Sequence, residues 1–505
     1  MKKEEAEAVK KIGVEKSLLD EISNLAARRG FFFPSCEVYS DANAGFYDYG
    51  PFGVLLKNKI IEQWREQLVK KDGMLEIDGC QIMSKSVFEA SGHLTSFSDP
   101  LVQCEKCKFI SRADKLIEEK AKKSVPEKLE PKEYDNLIEK HKIKCPKCDS
   151  KLGKTRRWNM MFGLGIGAEG KEGYLRPETC QSIFVDWPRL AATMRIKLPV
   201  GICQIGKAFR NEISPRQSLL RTREFTQAEI EVFFNPKKTQ IKEKFKEIEN
   251  YSLQLLPEKK KEIMAVKAKE AVSKKIISNE LLAYYLSLLQ RFYENIGFRK
   301  ENMRFRELGN EERAFYAKEA WDFEVLTSSG WVELVACNNR GDYDLGGHAK
   351  KSCKNFEFMD ENEKVLPWIF ELSMGIDRTL YCLMDKAFKK EKVEKTGEER
   401  ILMQFPAKIA PIQIAIFPLV NKDRLPEIAL SIYNQLEDKF EALYDNAGSI
   451  GKMYRRQDEI GTPFCITVDY QSKEDKTVTL RNRDDMSQKR IKISDLDKEL
   501  GKLLI

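Results

Sequence analysis

Residues 206–225, GKAFRNEISPRQSLLRTREF, concentrate charge between two apolar stretches. We interpret GKAFRNE and RTREF as two strands joined by ISPRQSLL, so that side chains alternate between the two faces. One face then offers guanidinium groups, a carboxylate and an aromatic ring: Arg210, Glu212, Arg221, Arg223 and Phe225; a further arginine, Arg216, lies in the connection. Guanidinium forks bind phosphate, a carboxylate accepts from a base amino group, and an aromatic ring stacks on a base. The set suits a nucleoside triphosphate; a surface ladder of ion pairs is the alternative.

Two cysteine pairs have the spacing of a metal site. Cys104 and Cys107 form the first, and Cys145 and Cys148 form the second, with 37 residues between the two pairs. Four thiolates make a closed tetrahedral zinc site, which is structural because no position is left for water. The polar segment between the pairs offers little apolar surface to bury, so we expect a metal to order it. Free or redox-active thiols are the alternative.

Composition limits the class of protein. The chain has 505 residues, of which 42% are hydrophobic and 33% charged, as in a globular protein of two or three domains. A net charge of +8 permits a polyanionic partner without requiring one. The opening MKKEEAEAVKK has no apolar core, and no run is long enough to span a membrane. With twelve cysteines, mostly single in apolar strings, we expect a cytoplasmic, reducing location.

The elements that must position these residues indicate an α+β fold. Alternating and apolar runs over 156–235 predict a sheet, and 301–390 adds strands followed by one helix. Two Lys-rich segments, 101–155 and 236–300, interrupt this sheet as insertions, and the second has helical spacing. Residues 391–403 have the composition of a linker. From 404 to 505, strands alternate with helices as in a small α/β domain.

Several short motifs, in order along the chain, carry a resemblance. FRNE at 209–212 with RTREF at 221–225 is similar to motif 2 of class II aminoacyl-tRNA synthetases, and GIDR at 375–378 to their motif 3. Residues 53–83 stand where motif 1, the dimer element, belongs. Further segments resemble the glycyl-tRNA synthetase family of the dimeric archaeal and eukaryotic type: YDYGPFG, EASGH, YLRPET, RNEISPR and YRRQDEIGTPF. Three features depart from the family pattern: the motif 1 strand QIMSKSVFE has no proline, Cys180 stands for alanine and Leu372 stands for proline.

The resemblance implies a fold and its divisions. It predicts an antiparallel-sheet catalytic domain with a zinc-bearing and a helical insertion, followed by an α/β anticodon-binding domain. The expected divisions are three catalytic parts, 1–100 (motif 1), 156–235 (motif 2) and 301–390 (motif 3); the insertions 101–155 and 236–300; the linker 391–403; and the anticodon-binding domain 404–505. In the last, Lys452, Tyr454, Arg455, Arg456 and Arg481 are candidates for contact with splayed anticodon bases.

The resemblance also implies an ATP site. Arg210 would hold the α-phosphate, Glu212 would read the adenine amino group, and Phe225 would stack on the ring. Arg221 and Arg378 would bind the distal phosphates, with Arg210 and Arg378 as the catalytic pair. Glu333 would be available to Mg²⁺. The remaining expected ATP contacts are Asn211, Thr222, Leu334 and Gly375.

A glycine site follows from the same resemblance. Glu178 and Glu229 would bind the substrate ammonium, Glu371 and Ser373 match the substrate end of the motif 3 strand, and Arg112 matches a family arginine. For Arg112 a purely structural ion pair is an equal alternative, since it lies among other charges.

The implied activity is a glycine–tRNA ligase that forms glycyl-adenylate from glycine and ATP and transfers it to the 3′ end of tRNA(Gly). ATP, Mg²⁺ and a structural Zn²⁺ are the expected cofactors, and the expected assembly is a homodimer without a membrane partner. The alternative is a non-catalytic accessory or regulatory subunit of the same fold, which we would expect to lack the ATP arginines. Arg210, Arg221 and Arg378 are all present.

Overall fold

The computed structural model of the protein describes residues 18–122, 125–126, 129–215, 217–314, 316–393 and 397–504. The segment MKKEEAEAVKK and Arg216 lie outside these residues. Short elements come first: α1 (18–29), β1 (Phe32–Pro34), β2 (Tyr47–Tyr49), α2 (Pro51–Trp64), β3 (Leu75–Ile77), β4 (Ile82–Ser84), α3 (Lys85–Ala90), α4 (His93–Ser96) and β5 (Ser98–Gln103). Pro51 lies in the first turn of α2, where a missing N–H breaks no helical bond. A π-helical turn, Arg65–Lys70, extends α2.

The cysteine-bearing insertion has two helices packed on a three-stranded sheet. Its elements are β6 (Ile110–Arg112), α5 (Ala113–Ala121), α6 (Pro131–Lys140) and β7 (Arg156–Asn159), with strand order β6-β5-β7. Contrary to the expectation that apolar burial is scarce here, α5 and α6 enclose a small core. Leu116, Ile117 and Tyr134 are buried in it together with Cys104 and Cys145.

The next segment builds the centre of the molecule. It comprises β8 (Phe162–Ile166), β9 (Lys171–Leu175), α7 (Cys180–Thr193), β10 (Val200–Phe209) and β11 (Glu224–Phe234). The strands β10 and β11 form a long antiparallel hairpin that pairs from Val200 with Phe233 to Phe209 with Glu224. A 3₁₀ turn, Ser218–Leu220, lies in the connection between them.

Residues 236–300 are less helical than the sequence predicts. Three helices lie there, but so do two strands: α8 (Lys242–Lys246), β12 (Ser252–Leu256), β13 (Met264–Lys267), α9 (Ala268–Ser273) and α10 (Glu280–Asn295). In SLQLL, Leu253 and Leu255 are fully buried while their neighbours are half-buried, the alternation of a strand. These strands extend the edge of the main sheet, so the segment is part of the domain built on that sheet rather than lying beside it.

The third part completes the main sheet. It contains β14 (Met303–Glu307), β15 (Glu319–Thr327), β16 (Gly330–Gly341), α11 (Tyr343–Ser352), β17 (Phe358–Asp360), β18 (Glu363–Val365), β19 (Trp368–Gly375), α12 (Ile376–Ala387), β20 (Phe388–Lys392) and β21 (Glu399–Met403). The nine-stranded order is β13-β12-β14-β15-β16-β19-β11-β10-β3. All pairs are antiparallel except β12–β14 and β10–β3.

Alternation along β11 divides the sheet into a core face and a site face. Thr226, Ala228, Ile230 and Val232 are buried on the face that packs against α2, α10 and α12. Phe225, Gln227, Glu229 and Glu231 point the other way, because residues two apart share a face. Beyond them, α7 and α11 cover the far end of this second face through Trp187, Leu345 and Phe356.

The C-terminal domain has a five-stranded sheet of order β23-β22-β24-β25-β26. Its elements are β22 (Ile414–Pro418), α13 (Leu425–Leu436), β23 (Ala442–Tyr444), α14 (Ile450–Ile460), β24 (Phe464–Val468), α15 (Tyr470–Asp475), β25 (Thr477–Asn482), β26 (Gln488–Lys492) and α16 (Leu496–Leu504). It has a core of its own around Ile414, Ile432 and Ile466.

The segment expected to be a linker, 391–403, is partly a hairpin. In it, β21 pairs with β20 from Glu399 with Lys392 to Met403 with Phe388. The apolar run Ile401–Met403 gives this strand a buried side that a flexible linker would not have. The domain of the main sheet and the C-terminal domain are further joined at Glu459, which pairs with Arg28 and Arg29 of α1.

Candidate active site

A cavity of about 460 Å³ opens on the site face of the main sheet. It lies over β11, β19 and β16 and is closed at the sides by α4 and by the connection between β10 and β11. Twelve of the sequence-predicted residues line it: Glu178, Arg210, Glu212, Arg221, Thr222, Phe225, Glu333, Leu334, Glu371, Ser373, Gly375 and Arg378.

The sequence analysis places Arg210 and Glu212 on a strand. In the structure β10 ends at Phe209, so neither residue belongs to it. The backbone continues pairing for one residue, with Arg210 N–H donating to the carbonyl of Arg223 at 2.9 Å, and then turns. The guanidinium of Arg210 nevertheless lies over the Phe225 ring, 5.3 Å from its centroid. Its Nε donates to the Pro177 carbonyl at 3.1 Å. Arg210 is therefore held against the aromatic floor of the cavity.

Arg221 and Glu212 are paired with each other. Nε and Nη2 of Arg221 lie 2.7 and 2.6 Å from Oε2 of Glu212. Asp99 lies 3.6 Å from the same guanidinium, and burial raises its pKa to about 6. The pair forms one wall of the cavity.

Arg378 joins three segments at the opposite wall. From the first turn of α12, its Nε donates to the Leu220 carbonyl at 3.0 Å and its Nη1 to the Glu333 carbonyl at 3.2 Å. The Glu333 carboxylate is 3.6 Å away. Arg210, Arg221 and Arg378 thus give this end of the cavity positive charge suited to a polyphosphate.

Asp377, which the sequence analysis did not assign, fixes the position of α12. It accepts from Tyr49 Oη and, at 2.7 Å, from the backbone N–H of Thr226, and Lys57 of α2 lies 3.9 Å away. One buried carboxylate therefore ties the helix that carries Arg378 to β11 and α2.

The other end of the cavity is lined with carboxylates. Glu371 on β19 accepts from Asn338 Nδ2 at 2.7 Å and from Arg340 Nη1 at 2.8 Å. Glu178, just before α7, accepts from Gln181 at 2.8 Å, and His93 Nε2 lies 3.3 Å away. Such a surplus of buried carboxylate suits a cationic group such as an ammonium.

Glu229 lies beneath this end and does not line the cavity. It is fully buried and accepts from Thr179 at 2.6 Å, from Ser373 at 2.7 Å and from Gln227 at 2.7 Å. Through these hydrogen bonds Glu229 holds Ser373 and Gln227 in position, and those two side chains do line the cavity. The Oε1 atom of Gln227 is buried and has no hydrogen-bond partner among the described residues.

The carboxylates differ in their acidity. Burial acts to raise the pKa of Glu178, but the neighbouring His93 and Arg340 bring it well below its usual value. Burial, followed by the charge of Glu178, raises the pKa of Glu229. Burial also raises the pKa of Glu371, to about 7, against the opposing effect of Arg340.

Two further predicted contacts, besides Glu229, lie outside the cavity wall. Arg112 lies behind it, paired with Asp99 at 2.9 Å and with Asp114 at 2.5 Å. It reaches the cavity through Asp99, which also neighbours Arg221. Asn211 takes part through its backbone, donating to the Met160 carbonyl and accepting from Trp158.

Residues that the sequence analysis missed come from distant segments. His93, Arg340, Asn338 and Gln227 surround the carboxylate end. Two of them had a signal in the sequence. Gln227 shares the strand face of Phe225 and Glu229, and His93 is the last residue of the segment EASGH.

The four predicted cysteines converge. Their sulfur atoms lie within 4.8 Å of one another, with 3.5 Å between Cys104 and Cys148 and 3.6 Å between Cys107 and Cys145. A tetrahedral ion bonded to sulfur at about 2.3 Å separates neighbouring sulfurs by about 3.8 Å. The cluster therefore fits a tetrahedral metal ion.

The candidate anticodon contacts are mostly on a helix. Lys452, Tyr454, Arg455 and Arg456 belong to α14. Arg481 is buried and pairs with Asp458 at 2.9 Å, which leaves it a structural residue. Of this group, Lys452 and Arg455 are exposed.

Among the described residues, every helix is too short or too polar to cross a bilayer.

Comparison with known proteins agrees with this architecture. Residues 166–387 match the family described as tRNA synthetase class II core domain (G, H, P, S and T), and residues 413–503 match the anticodon binding domain. A solved prolyl-tRNA synthetase from Cryptosporidium parvum, complexed with halofuginone and AMPPNP, superposes with a TM-score of 0.58 at 14% identity. The match covers 96% of this chain and 75% of that one, and shows that the fold is shared.

Curated relatives are closer in sequence. The glycine–tRNA ligase of Methanocaldococcus jannaschii is 39% identical, over 96% of this chain and 98% of that protein. The enzyme of Thermococcus gammatolerans is 38% identical, over 96% of this chain and 98% of that protein. The enzyme of Methanococcus maripaludis strain C7 is 37% identical, over 94% of this chain and 98% of that protein. With identity at this level over nearly its whole length, the chain belongs to the glycine–tRNA ligase family of class II aminoacyl-tRNA synthetases.

Proposed function

We propose that this enzyme activates glycine with ATP in the cavity and transfers the glycyl group to tRNA(Gly). The main support for the proposal is that the two ends of the cavity carry side chains of opposite charge. Arg210, Arg221 and Arg378 surround one end, and Glu178 and Glu371 the other. The distribution of charge matches a triphosphate beside an ammonium group.

At the nucleotide end, adenine stacks on Phe225 and Arg210 binds the α-phosphate. Glu212 accepts from the adenine amino group, which requires it to share or release Arg221. Arg221 and Arg378 bind the distal phosphates. The backbone around Asn211, Thr222, Leu334 and Gly375 completes the walls, and Glu333 would hold Mg²⁺, which neutralises phosphate charge when bound.

At the amino-acid end, the glycine ammonium binds Glu178 and Glu371, with Ser373 and the unpartnered Gln227 Oε1 as further acceptors. Glu229 holds Ser373 and Gln227 in place. Arg112 acts indirectly, by holding Asp99 in position beside Arg221.

The chemistry needs positioning and preorganised charge rather than a protein nucleophile. The glycine carboxylate attacks the α-phosphorus, a P–O bond to pyrophosphate breaks, and Arg210 stabilises the charge that develops. The terminal 3′ hydroxyl of tRNA then attacks the acyl carbon, releasing AMP. Glycine is selected because every competitor is larger than the space between the carboxylates.

Three further parts belong to the proposal. The cysteine cluster holds a structural Zn²⁺, supported by its sulfur spacing. The C-terminal domain binds the anticodon region through the exposed residues of α14. The working enzyme is a homodimer in the cytoplasm; exposed Val54 and Ile82 within 53–83 support the dimer, and cysteines that are all free support the reducing compartment.

The decisive experiment is ATP–pyrophosphate exchange with a panel of amino acids. We expect exchange with glycine and, at most, weak exchange with alanine and serine. A non-catalytic accessory subunit would show no exchange with any amino acid, and a synthetase for another small amino acid would prefer that one.

A further inference from the structure

Glu231 is a buried carboxyl group that the proposed reaction does not use. It is the next residue after Glu229 on the site face of β11, and it is fully buried. In the strand register it lies directly opposite Glu371 of β19. Neither of its carboxylate oxygens has a hydrogen-bond partner among the described residues.

The surrounding charges do not balance an ionised Glu231. The titratable groups that face it from the packed elements are Glu229 on its own strand, Glu371 on β19, Arg340 on β16, Asp344 on α11 and Cys180 on α7. Arg340 is the cation of this set, and it is already engaged. Its Nη1 donates to Glu371 at 2.8 Å, and its Nε and Nη2 donate to Asp344 at 2.6 and 2.8 Å.

Two ionised carboxylates in this arrangement would be costly. Like charges directly opposite on neighbouring strands destabilise a sheet, and an unpaired buried charge costs far more than a neutral group. Arg340 and Asn338 both donate to Glu371, so the negative charge is better placed there than on Glu231.

We propose that Glu231 is a positioning residue that stays protonated in the folded protein, so that Glu371 alone faces Arg340 and the ammonium subsite as the ionised member of the pair. Burial, followed by the charge of Glu371, raises the pKa of Glu231 well above its usual value, in agreement with this arrangement. The role in glycine binding rests on the proposed function, but the protonation itself does not.

The sign of the pH effect follows from proton linkage. The folded protein keeps a proton on Glu231 that the unfolded chain releases above its ordinary pKa of about 4.3. Wild-type stability therefore falls with rising pH relative to a variant with no group to titrate there.

The test compares unfolding by urea from pH 5 to 8 in the wild type and in Glu231→Gln, which copies the neutral acid. We expect the ratio of their unfolding equilibrium constants, wild type over variant, to rise about tenfold per pH unit. Glu357→Gln, at an exposed carboxylate, is the matched control and should run parallel to the wild type. A Glu231→Gln profile that is also parallel would overturn the proposal.

Glu231→Met, another neutral side chain of similar size, repeats the test if the glutamine variant does not fold. Failure of both neutral variants to fold would show that the site needs a charge, and would overturn the proposal. A pH slope that EDTA abolishes would also overturn the proposal. That result would indicate a metal ion, held by Cys180, Glu231 and Glu371, at the position where we place the proton. Because no substrate is present, a protein inactive with glycine that keeps the slope would refute the proposed function and leave this inference standing.

Discussion

Arg210 is the residue on which the nucleotide end of the site depends most. It is held between the Phe225 ring and the Pro177 carbonyl, so its guanidinium is in place before charge develops on the α-phosphate. We expect Arg210→Ala to lower glycine-dependent exchange by about 100-fold, since removing one such donor costs roughly 3 kcal/mol of barrier. Arg189→Ala, at an exposed position on α7, should retain full exchange. Near-normal exchange in Arg210→Ala would remove this residue from the reaction.

Glu371 predicts a pH dependence of glycine binding. Burial raises its pKa to about 7, so the carboxyl becomes protonated below that pH and loses the charge that attracts the ammonium. We expect the KM for glycine to rise about tenfold per pH unit on acidification from 7 to 5.5, while the KM for ATP changes much less. A KM for glycine that stays flat over this range would show that Glu371 does not bind the ammonium.

At the scale of elements, Asp377 connects α12, β11 and α2. Tyr49→Phe removes one of its buried donors without altering the packing of the ring. We expect a loss of about 1–3 kcal/mol in the free energy of unfolding, the usual worth of a hydrogen bond to a charged group. Tyr470→Phe, whose hydroxyl donates to Asp423 at an exposed position, is the matched control and should change stability by less than about 0.5 kcal/mol. Equal losses of unfolding free energy in the two variants would show that Asp377 does not hold α12, β11 and α2 together.

The cysteine cluster makes a separate prediction for the insertion. We expect one zinc per chain by elemental analysis, and we expect Cys145→Ser to lose it. Hydrogen exchange should then accelerate over 104–152 while 413–503 stays protected, because the domains have separate cores. Cys353→Ser, at an exposed cysteine outside the cluster, should keep the metal. A metal-free wild type with full protection would show that the apolar core of the insertion is sufficient.

The sequence grouped Phe225 of motif 2 with Glu371 and Arg378 of motif 3, and these three residues do line one cavity. Their roles in binding and catalysis stay predictions. Prediction from the sequence failed at Arg210 and Glu212, because nothing in FRNE marks the end of a strand at Phe209. It also missed His93 and Arg340, whose roles depend on α4 and β16 being brought to the same point from distant parts of the chain.

At the scale of the whole molecule, the proposed function assigns tRNA binding to the C-terminal domain and adenylate formation to the cavity of the main sheet. Lys452 is exposed on α14, far along the chain from every residue of the cavity. We expect Lys452→Ala to weaken tRNA binding and to reduce the slope of log K against log salt by about 0.7–0.9, the value for one phosphate contact. Glycine-dependent exchange should be unchanged. Lys498→Ala, exposed on α16, is the control; an identical effect there would indicate non-specific attraction.

The strand β11 carries both Phe225, which we propose to lie under the base, and Glu229, which lies beneath the carboxylate-lined end of the cavity. Four residues of strand span about 13 Å, and hydrogen bonds to β10 and β19 on both sides prevent this length from changing. The strand therefore fixes the distance between the two reactants. Descendants of this enzyme could acquire specificity for a new amino acid substrate by substitution of side chains along β11. A single inserted residue, in contrast, would turn every later side chain to the opposite face and abolish catalysis.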